Sequence, residues 1–279
     1  MSRNLLPFEW DEARRYGMSW QLLRNVLLRW SQSRAFRKAD GLIFLTEYAR
    51  SMVQEQVKDM KGRSTIIPHG VDTRFFRPVR CQKPMKAYSW NEPLRCLYVS
   101  IVDVYKHQWH VAEAVATLRR EGIPVVLDLV GPAYPPALRR LRRVIRRVDP
   151  QEEFIRYQGP VPYSELSRCY HDADLFVFAS SCENMPNILL EAMASGLPIA
   201  SSGCGPMPEI LGDSGVYFDH EDPVAIARAL HVLVENPGLR EHCAVLAQQR
   251  ARQYSWDRCA KETLSFLVEV ARRSPQGNF

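Results

Sequence analysis

The densest chemistry in the chain lies in Ser180-Ser181-Cys182-Glu183-Asn184-Met185-Pro186-Asn187-Ile188-Leu189-Leu190-Glu191-Ala192-Met193-Ala194-Ser195-Gly196-Leu197-Pro198. Two carboxylates, Glu183 and Glu191, stand eight positions apart in it. The first lies on a polar turn after an apolar run, and the second lies inside a short helix that Gly196 closes. A polar turn at the carboxyl end of a parallel strand, leading into a helix amino terminus, is where open α/β sheets bind anionic ligands. The backbone amides of Asn187 and Ile188 are expected to point toward a phosphate, and the two glutamates to reach two ends of one extended ligand. Taken one at a time these residues have plainer readings: Glu191 as a helix-surface glutamate, Met185 and Met193 as packing.

Such a turn needs a parallel sheet behind it. Apolar runs rich in β-branched residues occur at Gly41–Thr46, Thr65–Pro68, Leu94–Ile101, Val125–Gly131, Asp174–Ser180, Leu197–Ser202 and Val216–Phe218, and helical patterns alternate with them. Runs as continuous as Val125-Val126-Leu127-Asp128-Leu129-Val130 suit strands covered on both faces. Val111, Ala114, Val115 and Leu118 recur at one face of a helix. The fold class is therefore α/β, doubly wound and parallel. A Pro-rich, aperiodic stretch from Phe76 to Pro93 reads as a linker. It divides a partial amino-terminal domain at 1–78 from a complete domain at 79–252, with a carboxyl-terminal segment, 253–279, whose helix packs back toward the first part.

Length and composition agree with two globular domains: 279 residues, 46% apolar and 24% charged. No apolar run reaches the roughly 18 residues of a membrane span, and Met1-Ser2-Arg3-Asn4-Leu5 lacks a signal peptide's hydrophobic stretch, so the chain reads as cytoplasmic. The seven cysteines form no C-x-x-C pair, which supports neither a disulfide framework nor a zinc knuckle. A net charge of +6 suits a phosphate-bearing ligand, an anionic membrane or nucleic acid. Two helices bear on that choice. In Trp20–Trp30, the residues Trp20, Leu23, Leu27 and Trp30 line one face beside Arg24 and Arg29, either packed inside the domain or laid on a membrane surface. In Pro136–Val148, a stripe of Leu138, Leu141, Val144, Ile145 and Val148 is surrounded by Arg139, Arg140, Arg142, Arg143, Arg146 and Arg147, a solvated face or a contact for anionic lipid at the inner membrane face. A nucleic-acid binder would rest on these arginines alone, without an interleaved aromatic platform.

The Glu183 to Pro198 segment resembles the family 4, or group 1, retaining glycosyltransferases of the GT-B fold, whose signature is Glu-x7-Glu followed by Ala-Met-Ala-x-Gly-x-Pro. Ile67-Pro68-His69-Gly70-Val71-Asp72 with Phe76 and Pro78 is similar to the family's crossover between domains. Val130-Gly131-Pro132, Gly159-Pro160-Val161, Pro208-Glu209 and Tyr254-Ser255-Trp256 also match in order. The resemblance implies transfer of a hexose from a nucleoside-diphosphate sugar to a saccharide or lipid-linked acceptor, with retention and without a metal or other cofactor. It implies that Glu183 contacts the donor sugar, that Glu191 hydrogen-bonds the ribose, and that Asn184, Met185, Pro186, Asn187 and Ile188 cradle sugar and diphosphate. Lys106, in Val104-Tyr105-Lys106-His107, matches the lysine that neutralises the diphosphate, and Gly131 and Val161 fall near the nucleobase.

Three departures accompany the match. Ile101 stands where the family commonly has a second cation, and Asn184 stands where it has glycine. The family's Gly-rich turn and histidine of the first domain are not visible in residues 1–40. The expected reading is thus a glycosyltransferase, with a partner chain as one way to complete the first domain. The alternative is a non-catalytic nucleotide-sugar-binding fragment or subunit of a split enzyme.

Overall fold

The structure is a computed structural model that describes residues 5–273. Residues 1–4, read above for a signal peptide, and 274–279, at the end of the carboxyl-terminal segment, lie outside the described residues. In chain order the elements are α1 (Trp10–Arg14), α2 (Trp20–Lys38), β1 (Gly41–Phe44), α3 (Glu47–Gln56), β2 (Arg63–Ile66), β3 (Leu94–Val99), α4 (Gln108–Arg120), β4 (Val125–Val130), α5 (Pro135–Val148), β5 (Ile155–Gly159), α6 (Tyr163–Asp172), β6 (Leu175–Phe178), α7 (Asn187–Ala194), β7 (Ile199–Ser202), α8 (Met207–Leu211), β8 (Val216–Phe218), α9 (Pro223–Glu235), α10 (Pro237–Ala251) and α11 (Trp256–Arg273). They form two compact units. Among the described residues, the first comprises those up to Val71, Cys182–Asn187 and those from Tyr254 onward, and the second Asp72–Ser181 and Ile188–Gln253. The first unit runs to Val71 at its first segment, and Cys182–Asn187 of the loop after β6 fall within it.

The second unit is built on a six-stranded sheet in the order β5-β4-β3-β6-β7-β8, every neighbouring pair parallel. All residues of β4, β6 and β7 are buried, as strands between two helical layers must be. The one charged residue among them, Asp128, accepts from Arg95 Nη2 at 2.9 Å and Gln158 Nε2 at 2.9 Å, which satisfies the buried carboxylate. Helix α4 packs against α5 and α9, and its Val111, Ala112, Val115 and Leu118 are buried. The order of strands reverses between β3 and β6, and a sheet of this type opens its ligand crevice at the carboxyl ends of those two strands.

In the first unit β1 and β2 pair in parallel from Gly41↔Arg63 to Phe44↔Ile66, with α3 between them in the chain. Thr46 Oγ1 caps α3 by accepting from Ala49 N at 3.1 Å. Alternate residues of β1 serve two clusters: Leu42 and Phe44 join Phe8, Phe36 and Val53, whereas Ile43 joins Ile67, Phe266 and Val270. Helix α11 lies so close to β1 that a Cβ on Gly41 would stand 2.6 Å from Val270 Cγ2.

Two sequence expectations are corrected. Strand β5 was missed because Ile155-Arg156-Tyr157-Gln158-Gly159 carries polar residues at alternate positions, the pattern of a sheet edge buried on one side only. Packing of the Trp20–Trp30 face inside its own domain is also overturned: Trp20, Leu23, Leu27 and Trp30 are 71%, 49%, 54% and 68% exposed. On α5, by contrast, all six arginines are exposed over a buried Leu141 and Ile145.

Candidate functional site

In the second unit the loops that follow β3 and β6 start from the carboxyl ends of the two strands between which the order reverses. The first loop is pinned to its neighbour by Ser100 N to Val130 O (2.9 Å) and Val102 N to Pro132 O (2.8 Å), and Gln108 Nε2 donates to Ile101 O at 2.8 Å. Lys106 follows. Tyr98 donates its hydroxyl proton to Lys106 O at 2.6 Å, and Lys106 N donates to Asp103 O at 3.1 Å. The side chain of Lys106 is only 4% exposed, and Nζ stands 4.9 Å from the Tyr105 ring centroid and 5.3 Å from that of Phe178. Aromatic faces offer an ammonium partial negative charge.

The second loop is tied to the first. Ser181 N donates to Tyr105 O at 2.9 Å, Ser181 Oγ donates to the same oxygen at 3.2 Å, and His107 Nε2 lies 3.2 Å from Ser181 Oγ. His107 begins α4 with φ 53, a left-handed backbone that a non-glycine residue adopts only under local constraint. Sequence reasoning named His107 only as a neighbour of Lys106, and its role in joining the two loops depends on a tertiary bond that no spacing announces.

Glu191 lies in α7, buried, and accepts from the Tyr170 hydroxyl at 2.9 Å; the same hydroxyl stands 3.2 Å from Ile188 O. Burial pushes its carboxyl up to about 7, against the lowering effect of that hydrogen bond. Gly131 and Val161 lie on the loops after β4 and β5, at the same carboxyl end of the sheet as Lys106. Gly131 has φ 138, and a Cβ there would stand 2.2 Å from Ser100 O, so only glycine lets the β3 and β4 loops approach.

In the first unit, Cys182–Asn187 meet Thr46 and the Ile67–Val71 segment, which in turn meets Tyr254–Trp256. Thr46 Oγ1 donates to Asn184 O at 2.9 Å, His69 N donates to Met185 Sδ at 3.1 Å, and His69 Nδ1 stands 3.2 Å from Asn187 Oδ1. The His69 ring lies 5.2 Å from that of Trp256, and Val71 N donates to Tyr254 O at 3.2 Å. Asn184, Met185 and Pro186 are buried, while Glu183 is half-buried. The expectation that the Asn187 amide faces a phosphate is corrected, since Asn187 N donates to Met185 O at 3.0 Å. The amides of Ile188 and Leu189 come next, in the first turn where an α-helix has no carbonyl of its own to offer.

Glu9 went unread in the sequence. It accepts from the Tyr48 hydroxyl at 3.2 Å and is pushed up to about 7 by burial, with the Glu12 and Glu183 carboxylates adding repulsion. No motif surrounds it; its only signal is its approach to Cys182 and Glu183 in space.

The sequence profile described as Glycosyl transferases group 1 matches residues 93–236, just over half of the chain. The chain belongs to this family. Among curated relatives, O-antigen chain mannosyltransferase B of Escherichia coli is 33% identical over 115 residues, 41% of this chain and 30% of that protein. D-inositol 3-phosphate glycosyltransferase of Corynebacterium urealyticum is 28% identical over 247 residues, 85% of this chain and 57% of that protein. This group 1 chain thus spans little more than half the length of the relatives it matches most extensively. Among solved structures, sucrose-phosphate synthase from Thermosynechococcus elongatus superposes with TM-score 0.79 at 20% identity, over 94% of this chain and 66% of that one. HepE of Anabaena, in complex with UDP and glucose, superposes with TM-score 0.73 at 19% identity, over 88% and 67%. The fold is GT-B-like, with a Rossmann-like second unit.

Proposed function

We propose that this chain binds a nucleoside-diphosphate sugar and transfers its sugar, with retention, to a saccharide or lipid-linked acceptor. The observation that supports this best is the junction of the two loops at the strand reversal, where Ser181 bonds Tyr105 and so sets Lys106 beside the turn that leads to Glu183. Negative charge grows on the diphosphate as the glycosidic bond breaks, and a buried ammonium stabilises it more strongly than a solvated one. The amino terminus of α7 adds its dipole, so cation and helix together serve in place of a metal ion. Glu191 accepts hydrogen bonds from the ribose hydroxyls, Glu183 holds the sugar's hydroxyls, and Gly131 and Val161 border the base. The leaving phosphate takes the acceptor's proton, and no side chain is assigned as base.

The exposed face of α2 favours a second reading, in which the chain is a donor-binding subunit whose first unit is completed by a partner chain. Calorimetric titration of the full chain with UDP and GDP tests the donor site. One nucleotide is expected to bind, and Lys106→Ala to weaken it by about ten- to a hundredfold, the effect of losing one charge-assisted contact. No binding of either nucleotide sinks the proposal. Release of nucleotide from a donor, lost in Glu183→Ala, marks the enzyme; binding without release marks the subunit.

A further inference from the structure

Three groups able to ligate a metal converge in the second unit, apart from the residues assigned to the donor. One ring nitrogen each of His107 and His220 and one carboxylate oxygen of Glu221 all lie within 4.8 Å of one another. They come from two places in the chain: His107 opens α4, and His220 and Glu221 lie on the turn between β8 and α9. Because α4 and α9 pack against each other, the two ends of the cluster are held by rigid elements. The His107 and His220 rings meet edge to face at 4.5 Å between centroids, and His110 stacks on His107 at 5.3 Å.

The surrounding hydrogen bonds orient these ligands. Ser181 Oγ gives its proton to Tyr105 O, so at His107 Nε2 it acts as acceptor and fixes the proton on that nitrogen. The lone pair of the neutral ring then lies on Nδ1. An imidazole that donates its other N–H to an oxygen in this way is oriented, and made more basic, for metal binding. His220 is held as well, with Nδ1 3.3 Å from Cys204 Sγ and its carbonyl accepting from His110 Nδ1 at 3.0 Å. His107 is buried, His220 half-buried and Glu221 exposed, which leaves the carboxylate side open to solvent.

We propose that His107, His220 and Glu221 bind one divalent transition-metal ion, of which zinc is the type. Two imidazoles and one carboxylate suit zinc, cobalt or nickel and not magnesium or calcium, which prefer oxygen alone. Metal–ligand bonds of about 2.0–2.2 Å bring tetrahedral ligand atoms to roughly 3.3–3.5 Å of one another. Closing from separations of up to 4.8 Å draws the two imidazoles and the exposed Glu221 carboxylate together, and a water completes the coordination. The ion ties the β8–α9 turn to the start of α4 and fixes His107, the residue after Lys106. The inference is independent of the glycosyl-transfer reading.

The test uses the full chain, purified without a histidine tag and stripped with a chelator, titrated with ZnCl2 by calorimetry and with CoCl2 by visible spectroscopy. One zinc per chain is expected, with cobalt bands of four- or five-coordinate intensity and a rise in Tm on zinc addition. His220→Ala is expected to weaken zinc by more than the roughly 10–100-fold that loss of an outer hydrogen bond brings. Glu221→Gln, an exposed change that spares the fold, is expected to weaken it by about tenfold or more. No zinc binding by the parent chain, or equal affinity in Glu221→Gln, overturns the assignment. UDP binding is measured separately, so failure here is distinct from failure of the donor site.

Discussion

The six-stranded unit buries β4, β6 and β7 completely, whereas the two-stranded unit turns Trp20, Leu23, Leu27 and Trp30 of its longest helix to solvent. Both are parallel α/β arrangements, and both carry apolar residues at helical spacing. A parallel sheet is stable when helices cover both faces, and six strands offer α4, α5 and α9 enough surface to dock. Two strands do not. In the first unit β1 has Leu42 and Phe44 in one cluster and Ile43 in the other, which exhausts what so narrow a sheet can bury. Apolar periodicity thus states which face of a helix is sticky, and sheet width decides whether that face is covered.

Glycine replacements carry the largest expected effect, and they grade by local packing rather than by unit, since Gly62 and Gly70 of the first unit also lie against backbone, at 2.2 Å from Ala39 O and 2.1 Å from Trp256 N. Gly131→Ala forces a Cβ to 2.2 Å from Ser100 O at φ 138, while Gly17→Ala, at φ 61, meets nothing within 4 Å. The first substitution combines backbone strain with a clash between backbones and is expected to cost more than about 3 kcal/mol. The second costs only the strain, about 1 kcal/mol. Urea unfolding monitored by circular dichroism measures both, and equal costs would break the contrast.

The next effect compares two glutamates, one in each unit. Glu191 and Glu9 are each raised by burial to about 7. Between the ordinary carboxyl value, 4.5, and about 7 the folded state holds a proton that the unfolded state has lost. By linkage, stability then falls as pH rises through that window and is flat above it. Glu191, nearly buried, accounts for up to about 3 kcal/mol of that fall, and Glu9, partly open to water, for less. Glu191→Gln should therefore flatten the profile between pH 5 and pH 8 more than Glu9→Gln does. Equilibrium unfolding at the two pH values decides it, and a profile that rises with pH in the parent chain would count against both assignments.

Legibility in the sequence did not follow the same division. Strands β1 and β2 of the first unit, the strands of the second unit other than β5, α4 and the arginine face of α5 could be read because each residue's environment is set by neighbours within a repeating βα pattern. Strand β5 was hidden by its position at the sheet edge, where Arg156 and Gln158 reach outward. Glu183, Glu191 and Lys106 stood out by motif, whereas Glu9 and the His107–Ser181 bond arise only when segments far apart in the chain meet. The Asn187 amide shows the limit from the other side. A helix start was legible, but Met185 O, two residues earlier, takes the proton that the pattern assigned to a ligand.

The smallest effect on stability is expected at α2. Trp20 and Trp30 are 71% and 68% exposed, so replacing both with serine removes little buried area and should change unfolding free energy by no more than about 0.5 kcal/mol. An apolar face of this kind, rimmed by Arg24 and Arg29, is instead a surface for association. The pair Trp20→Ser with Trp30→Ser is therefore expected to leave urea unfolding unchanged while lowering self-association in sedimentation velocity. A loss of several kcal/mol would mean that the face is already packed within the chain, and the contrast between the two units would then be one of degree. Unchanged stability with reduced association would tie the exposed face to a missing cover and strengthen the reading in which a partner chain completes the first unit.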